Sequence, residues 1–319
     1  MMMKKFLSAA LILCMPLSMT VSAQTAGNQE DGDAVQEVII YHTNDTHGYL
    51  NGDGEEIVGI ALAAGLKEST PNSILVDAGD ATQGLPLASL TKGADVIELM
   101  NLAGYDLMTP GNHEFDFGTE TFLSNAQKAD FPVLAANIYR NGSPLLKDVQ
   151  EDSSGCHAVL EQNGVRIGFF GLTTADTASS TNPAGIKDLE FRDEIETAKT
   201  EINHLKEEGA DVIVAMCHMG NMDASCTSAD LADAMTGEYQ DKIDVIIDGH
   251  SHTVENEETN GILIVQTGSG MAGIGKLTLE VRGDEVSASE ELLGPADLAD
   301  IVPDAAVAER LKQIESSQS

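Results

Sequence analysis

Tryptophan is absent from the 319-residue sequence, and Phe and Tyr bring the aromatic share to only 4%. A platform for stacking bases or sugars is therefore poorly supplied. Positive charge is also scarce: 17 Lys and Arg stand against 52 Asp and Glu, a formal charge of -35. That balance argues against a nucleic-acid polymer or an anionic membrane surface as partner, because both require a basic footprint. No stretch beyond the N-terminal segment approaches the ~20 apolar residues of a membrane helix. The four cysteines include no pair spaced to hold a structural zinc. Acidity alone would fit a disordered chain, but 42% hydrophobic content and repeated β-branched runs argue for a packed core.

The N-terminus reads as a targeting segment. Lys4 and Lys5 precede an apolar run from Phe6 to Met15, and Val21-Ser22-Ala23 offers the small residues of a cleavage site. Residues 1–23 are thus expected to be a signal peptide cut after Ala23, making the mature protein secreted or extracytoplasmic. Acylation at Cys14 is disfavoured, since Leu13 stands where a small residue is needed. In an oxidising compartment Cys156, Cys217 and Cys226 form an odd set. Either a local Cys217–Cys226 bridge or three free thiols satisfies the sequence.

Short apolar runs alternate with helical patterns along the rest. Residues 37–42, 73–77, 132–136, 211–216, 243–248 and 262–266 read as strands, mostly continuous enough to be covered on both faces. Residues 59–67, 119–128, 194–207 and 229–235 read as helices. Asn163-Gly164 signals a hairpin, and a second strand pair is expected around Arg282-Gly283-Asp284. The class is α/β with mixed sheets. Residues 24–35 read as a disordered leader, 36–293 as the folded domain, and 294–319 as a linker running into a charged helix.

Polar clusters fall just past the strand ends. Asn44-Asp45-Thr46-His47, Gly79-Asp80, Gly111-Asn112-His113-Glu114-Phe115-Asp116, His218 and Gly249-His250-Ser251-His252 follow in order. Ligands of open α/β sheets bind outside the carboxyl ends of strands, so these clusters are expected to share one crevice. Carboxylate, amide and imidazole donors suit Zn, Mn, Fe or Co. Two acids, one Asn and four His are too many for one ion and about right for two ions sharing a carboxylate.

NDTHG at 44–48, VDAGD at 76–80, GNHEFD at 111–116, His218 and GHSHT at 249–253 resemble the calcineurin-like metallophosphoesterases. The wording HTNDTHGYL and TPGNHEFDFG is similar to the 5'-nucleotidase branch, which also includes 2',3'-cyclic-nucleotide phosphodiesterases. The resemblance implies a four-layer αββα sandwich of two mixed sheets with a dinuclear site at the strand ends. It implies one ion on Asp45, His47, Asp80 and His252 and another on Asp80, Asn112, His218 and His250, with Asp80 bridging. His113 and Asp116 are implied as a catalytic pair, with Asn112 and His113 reaching the phosphate of a small ester, in first place a nucleotide. A bridging water acidified by both ions would attack phosphorus while His113 protonates the leaving oxygen. Asp116 has a second reading as an N-cap of the helix near Thr119. Full-length 5'-nucleotidases carry a second, base-stacking domain that this sequence is expected to lack. A broad phosphomonoesterase, a cyclic phosphodiesterase and a non-catalytic binding module are the competing functions; the intact ligand set and His113 count against the last.

Other features take plainer readings. Gly268-Ser269-Gly270-Met271-Ala272-Gly273 matches a dinucleotide fingerprint, but IGKLTLEV after it reads as strand rather than helix. His42 is expected to pack at a strand end, His204 to sit on the surface, and Glu255 to Glu258 to form a solvated loop. His157 lies outside the clusters. Cys217 should point away from the metals by strand alternation.

Overall fold

The computed structural model describes residues 34–150, 153–222 and 224–318. The expected signal peptide, its cut after Ala23 and nearly all of the expected leader lie outside the described residues. In chain order the strands are β1 (Gln36–Thr43), β2 (Ile74–Asp77), β3 (Leu107–Met108), β4 (Ile138–Arg140), β5 (Ser143–Pro144), β6 (His157–Gln162) and β7 (Val165–Thr173). They continue as β8 (Leu189–Phe191), β9 (Val212–His218), β10 (Val245–Ile247), β11 (Val254–Thr259), β12 (Ile262–Thr267), β13 (Ile274–Arg282) and β14 (Glu285–Leu293). The helices are α1 (Ile60–Ser69), α2 (Pro86–Ser89), α3 (Ala94–Ala103), α4 (Thr119–Lys128), α5 (Thr177–Ser180), α6 (Glu194–Glu207), α7 (Ser228–Ala234) and α8 (Ala305–Gln318).

One sheet has the order β14-β13-β1-β2-β3 and the other β11-β12-β10-β9-β7-β6; β5-β4-β8 form a small third sheet. Both large sheets mix parallel central pairs with antiparallel edge hairpins. Strand alternation explains how they stack. Val38 and Ile40 of β1 pack between the sheets with Val212, Val214 and Met216 of β9. Tyr41 faces the other way, into a core shared with α1, α3, α4 and α8. Ile213, Ala215 and Cys217 face a third core under α6 and α7. Three cores separating four layers make the αββα sandwich, and strands buried on both faces account for the unbroken apolar runs.

The Asn163-Gly164 hairpin forms between β6 and β7, with both turn residues at positive φ (52° and 81°) as a type I′ turn requires. β13 and β14 form the other hairpin in full register around Gly283. The charged helix near the C-terminus is α8. It buries Val307, Leu311 and Ile314, spaced i, i+4, i+7, against the first helical core.

Two expectations need correction, and one open alternative is decided. Residues 132–136 do not form a strand: Val133 makes an isolated bridge to Met108. Beyond it, Ala135 N–H donates to Gly155 O and Ala136 N–H to Gly171 O, so this segment crosses from one sheet to the other instead of extending either. Glu255 to Glu258 belong to β11, an edge strand rather than a loop. Cys217 and Cys226 are not bridged; the three described cysteines are free. Cys217 lies in the third core with Cys226 packed against it, and burial pushes the Cys226 thiol up to about 12. Such thiols are poor nucleophiles. Among the described residues no helix is long and apolar enough to cross a membrane.

Candidate metal centre

The loops that leave β1, β2, β9 and β10 and the turn after β3 carry the polar clusters to one edge of the sandwich. Five of the seven candidate ligands adopt the left-handed backbone region: Asp45 (φ 49°), His47 (47°), Asp80 (58°), His250 (80°) and His252 (55°). Each such non-glycine conformation costs energy and persists only where surrounding structure enforces it. Gly111 shows how tight the enforcement is: a Cβ there would lie 2.2 Å from Asp80 Oδ1.

All nine expected site residues converge. Asp45, His47 and His252 form one group and Asp80, His218 and His250 another, each with donor atoms within 4.8 Å of one another. His252 Nε2 is 3.2 Å from Asp45 Oδ1 and 3.1 Å from His47 Nε2. Asp80 Oδ2 lies between the groups, 3.1 Å from His218 Nε2 and 3.9 Å from His47 Nε2. Asn112 Oδ1 faces His250 Nδ1 at 2.9 Å.

The donor set fits divalent cations on grounds internal to the structure. Asp45 Oδ1 and His218 Nε2 are buried polar atoms with no hydrogen-bond partner. His218 Nδ1 lies 2.7 Å from Ala78 O, and His47 Nδ1 lies 3.1 Å from Gln83 O. A backbone carbonyl requires the proton on Nδ1, which leaves the Nε2 lone pair of each ring aimed into the centre. Lone pairs and carboxylate oxygens facing one another are stable only around positive charge. The field is strong: burial opposes charging of His218, yet Asp80 and Asp45 hold its pKa well above the usual imidazole value.

His113 stands beside this set. Its Nδ1 is 2.7 Å from Asp116 Oδ2, and Asp116 Oδ1 accepts from Thr181 Oγ1 at 2.6 Å. Burial opposes protonation of His113, but Asp80 and Asp116 raise its pKa. The capping alternative for Asp116 is not observed: α4 is preceded by Gly118, and no side chain caps it.

Sequence reasoning missed three residues that hold the loops. Buried Glu114 accepts from the N–H groups of Asp80, Ala81, Thr82 and Gly111 and from Thr82 Oγ1, tying two loops to one carboxylate. Asp248 accepts from Met219 N–H, Gly220 N–H and Ser228 Oγ, fixing the turns that bear His218 and His250. Asn44 donates to Asp45 Oδ2 at 2.7 Å and accepts from Thr267 N–H, so the following Gly268–Gly270 segment braces the centre rather than a dinucleotide. Glu114 lies inside the GNHEFD motif and Asp248 directly before GHSHT, which was the available signal.

Asp77, at the end of β2, offers a pH test. Burial raises its pKa to about 8, against the opposing hydrogen bonds from Thr43 Oγ1 and Gly79 N–H. The folded value exceeds the ordinary 3.8, so the folded chain holds the extra proton between the two and stability falls as pH rises through that window. In chelator-treated protein, Asp77→Asn should flatten this slope. The two melting temperatures should diverge by roughly 2–4 °C per kcal/mol of linkage between about pH 5 and 8. Parallel slopes in thermal melts would show that Asp77 is ionised throughout.

Comparison with known proteins finds similar chains. The sequence profile of the calcineurin-like phosphoesterases matches residues 39–254. Endonuclease YhcR of Bacillus subtilis is 33% identical over 92% of this chain and 26% of its own length. A 5'-nucleotidase of Vibrio cholerae is 33% identical over 78% of this chain and 45% of its own length. The chain therefore spans less than half of either relative. Calcineurin-like phosphoesterase YfkN from B. subtilis, a solved structure, superposes with a TM-score of 0.72 at 24% identity, covering 89% of this chain and 98% of that one, which shows a common fold.

Proposed function

The chain belongs to the calcineurin-like phosphoesterase family, and from that premise we propose that it is an exported two-metal hydrolase of nucleotide phosphomonoesters. The observation that carries the reading is the two adjacent donor groups with Asp80 Oδ2 between them, and Asp45 Oδ1 and His218 Nε2 turned inward without a hydrogen-bond partner. Asp45, His47, Asp80 and His252 would hold one divalent ion, and Asp80, Asn112, His218 and His250 the other, with Zn, Mn, Co or Fe suited to these donors. When bound, the ions supply Lewis acidity that activates water and screens phosphate oxygens. His113 holds a proton at the edge of the centre, oriented by Asp116, and delivers it to the leaving oxygen. The lone pairs of His47 and His218 are fixed by backbone carbonyls, so little reorganisation accompanies binding. The cut after Ala23 is the basis for export.

Substrate preference is the test. With few aromatics, the centre anchors the phosphate strongly and the base weakly. AMP, other nucleoside monophosphates and p-nitrophenyl phosphate should give kcat/KM values within about 10-fold of one another, since a stacked base is worth ~1–3 kcal/mol. A 2',3'-cyclic nucleotide and a single-stranded RNA complete the panel, measured with Mn²⁺ or Zn²⁺. An AMP preference of about 100-fold or more would assign a base site, for which the cleft of about 350 Å³ lined by half-exposed Tyr49 and Leu85 and by buried Leu87 is the place to mutate. Absence of turnover in metal-loaded protein would leave a binding module instead.

A further inference from the structure

A second group of donors lies on the other side of the second sheet. His157 opens β6, the edge strand. Glu201 and His204 sit three residues apart on α6, with Glu208 at its end. Glu201 belongs to the inward stripe of α6, among Ala198, Ile202 and Leu205, and is buried. A carboxylate there is costly unless both oxygens are engaged. Oε2 lies 2.5 Å from His157 Nδ1, and Oε1 lies 3.5 Å from His204 Nδ1. One donor atom from each of the three residues falls within 4.8 Å of the others, and the imidazole rings are 5.5 Å apart.

We propose that His157 Nδ1, the Glu201 carboxylate and His204 Nδ1 bind one borderline divalent ion of the Zn²⁺ class, separate from the centre at the strand ends. Two imidazoles with one carboxylate suit Zn²⁺, Co²⁺ or Ni²⁺ rather than Mg²⁺ or Ca²⁺. The Glu-x-x-His spacing presents a carboxylate and an imidazole from one helical face, as in helix-borne carboxylate metal sites. Glu208 Oε1 lies 3.3 Å from His157 Nε2 and can hold the ring proton there when an ion displaces the one that Nδ1 shares with Glu201 Oε2. In the metal-free chain Glu201 pairs with His157 across the elements and with His204 at i, i+3 on its own helix, so the three donors already converge on one carboxylate. Two protonated imidazoles at this separation repel, whereas two neutral ones around a cation do not. Tetrahedral ligands stand about 3–3.5 Å apart, a spacing these side chains reach by rotation because His204 is half exposed. Bound there, an ion would fasten the edge strand β6 to α6.

The test is a count of ions. Chain stripped by chelator and reloaded with Zn²⁺ at about pH 8, where imidazoles are mostly neutral, is freed of excess metal and analysed for zinc. Wild type should retain one ion more per chain than either His204→Ala or His157→Gln, with phosphate-ester hydrolysis unchanged in both. Loading with Co²⁺ should show the same loss of one component of the visible spectrum. Because His157→Gln removes a contact that ties down the edge strand, the exposed His204→Ala decides the matter if His157→Gln misfolds. Equal zinc content in folded wild type and His204→Ala overturns the proposal. So does a lost ion accompanied by lost activity, which would place that ion in the first centre.

Discussion

Replacing Asp80 with asparagine should strip both halves of the metal centre and remove nearly all activity. The substitution keeps an oxygen at Oδ1 to accept from His113 N–H, which Asp80 now does at 2.8 Å. It replaces Oδ2, the atom between His218 and His47, with an amide nitrogen that has no free lone pair and no charge. Both groups lose a donor, and the remaining charge of Asp45 cannot serve two ions. Several kcal/mol of charge stabilisation disappear, so kcat/KM should fall by at least ~10³-fold. The loop itself should survive, because Glu114 holds its backbone from behind. Elemental analysis of a folded Asp80→Asn chain decides the point: two retained ions would show that Asp80 does not bridge. His252→Gln, which puts an amide oxygen in place of the ring nitrogen at a half-exposed position, should cost less in both metal and rate.

His113→Asn should separate ligation from chemistry. The ring of His113 sits edge-on to His47 at 5.5 Å and is held by Asp116 through Nδ1, so it adjoins the donor groups without belonging to either. Both ions should therefore remain while kcat drops by ~10²–10⁴-fold, the usual loss for a general acid. The drop should be largest for AMP, whose alkoxide leaves poorly, and smallest for p-nitrophenyl phosphate, whose leaving group needs little protonation. Side-by-side kinetics on the two substrates read this out. An equal loss on both would make His113 an electrostatic stabiliser, and loss of metal at unchanged stability would make it a ligand.

Much of this was legible in the sequence because it rests on local patterns. Continuous apolar runs such as residues 211–216 mark strands covered on both faces, and alternation of those same residues assigns them to two cores. The Asn163-Gly164 turn sets the β6–β7 register by its backbone preference alone. Residues 119–128 and 194–207 match α4 and α6 to the residue, since apolar spacing and flanking polar residues define both. Residues 132–136 misled because an apolar run does not reveal where its N–H groups are satisfied. Those of Val133, Leu134, Ala135 and Ala136 go to Gln150 Oε1 and to the carbonyls of Met108, Gly155 and Gly171 in turn. Glu255 to Glu258 misled for the opposite reason: an edge strand exposes one side to water and tolerates acids that a central strand would not.

What the sequence determined by itself is the order and chemistry of the donors: each cluster follows a strand, and strand ends are where open sheets place ligands. What only the tertiary structure decided is how those donors divide and which way they face. The separation of Asp45, His47 and His252 from His218 and His250 depends on loops from both sheets meeting at one edge. The tautomer of the rings depends on the carbonyls of Ala78 and Gln83, far from His218 and His47 in sequence. The left-handed conformations of Asp45, His47, Asp80, His250 and His252 are unfavourable for each residue alone, so no local propensity announces them. They exist because buried carboxylates such as Glu114 and Asp248 and the packed sandwich beneath them hold the backbone there, and that energy is distributed over contacts that only folding brings together.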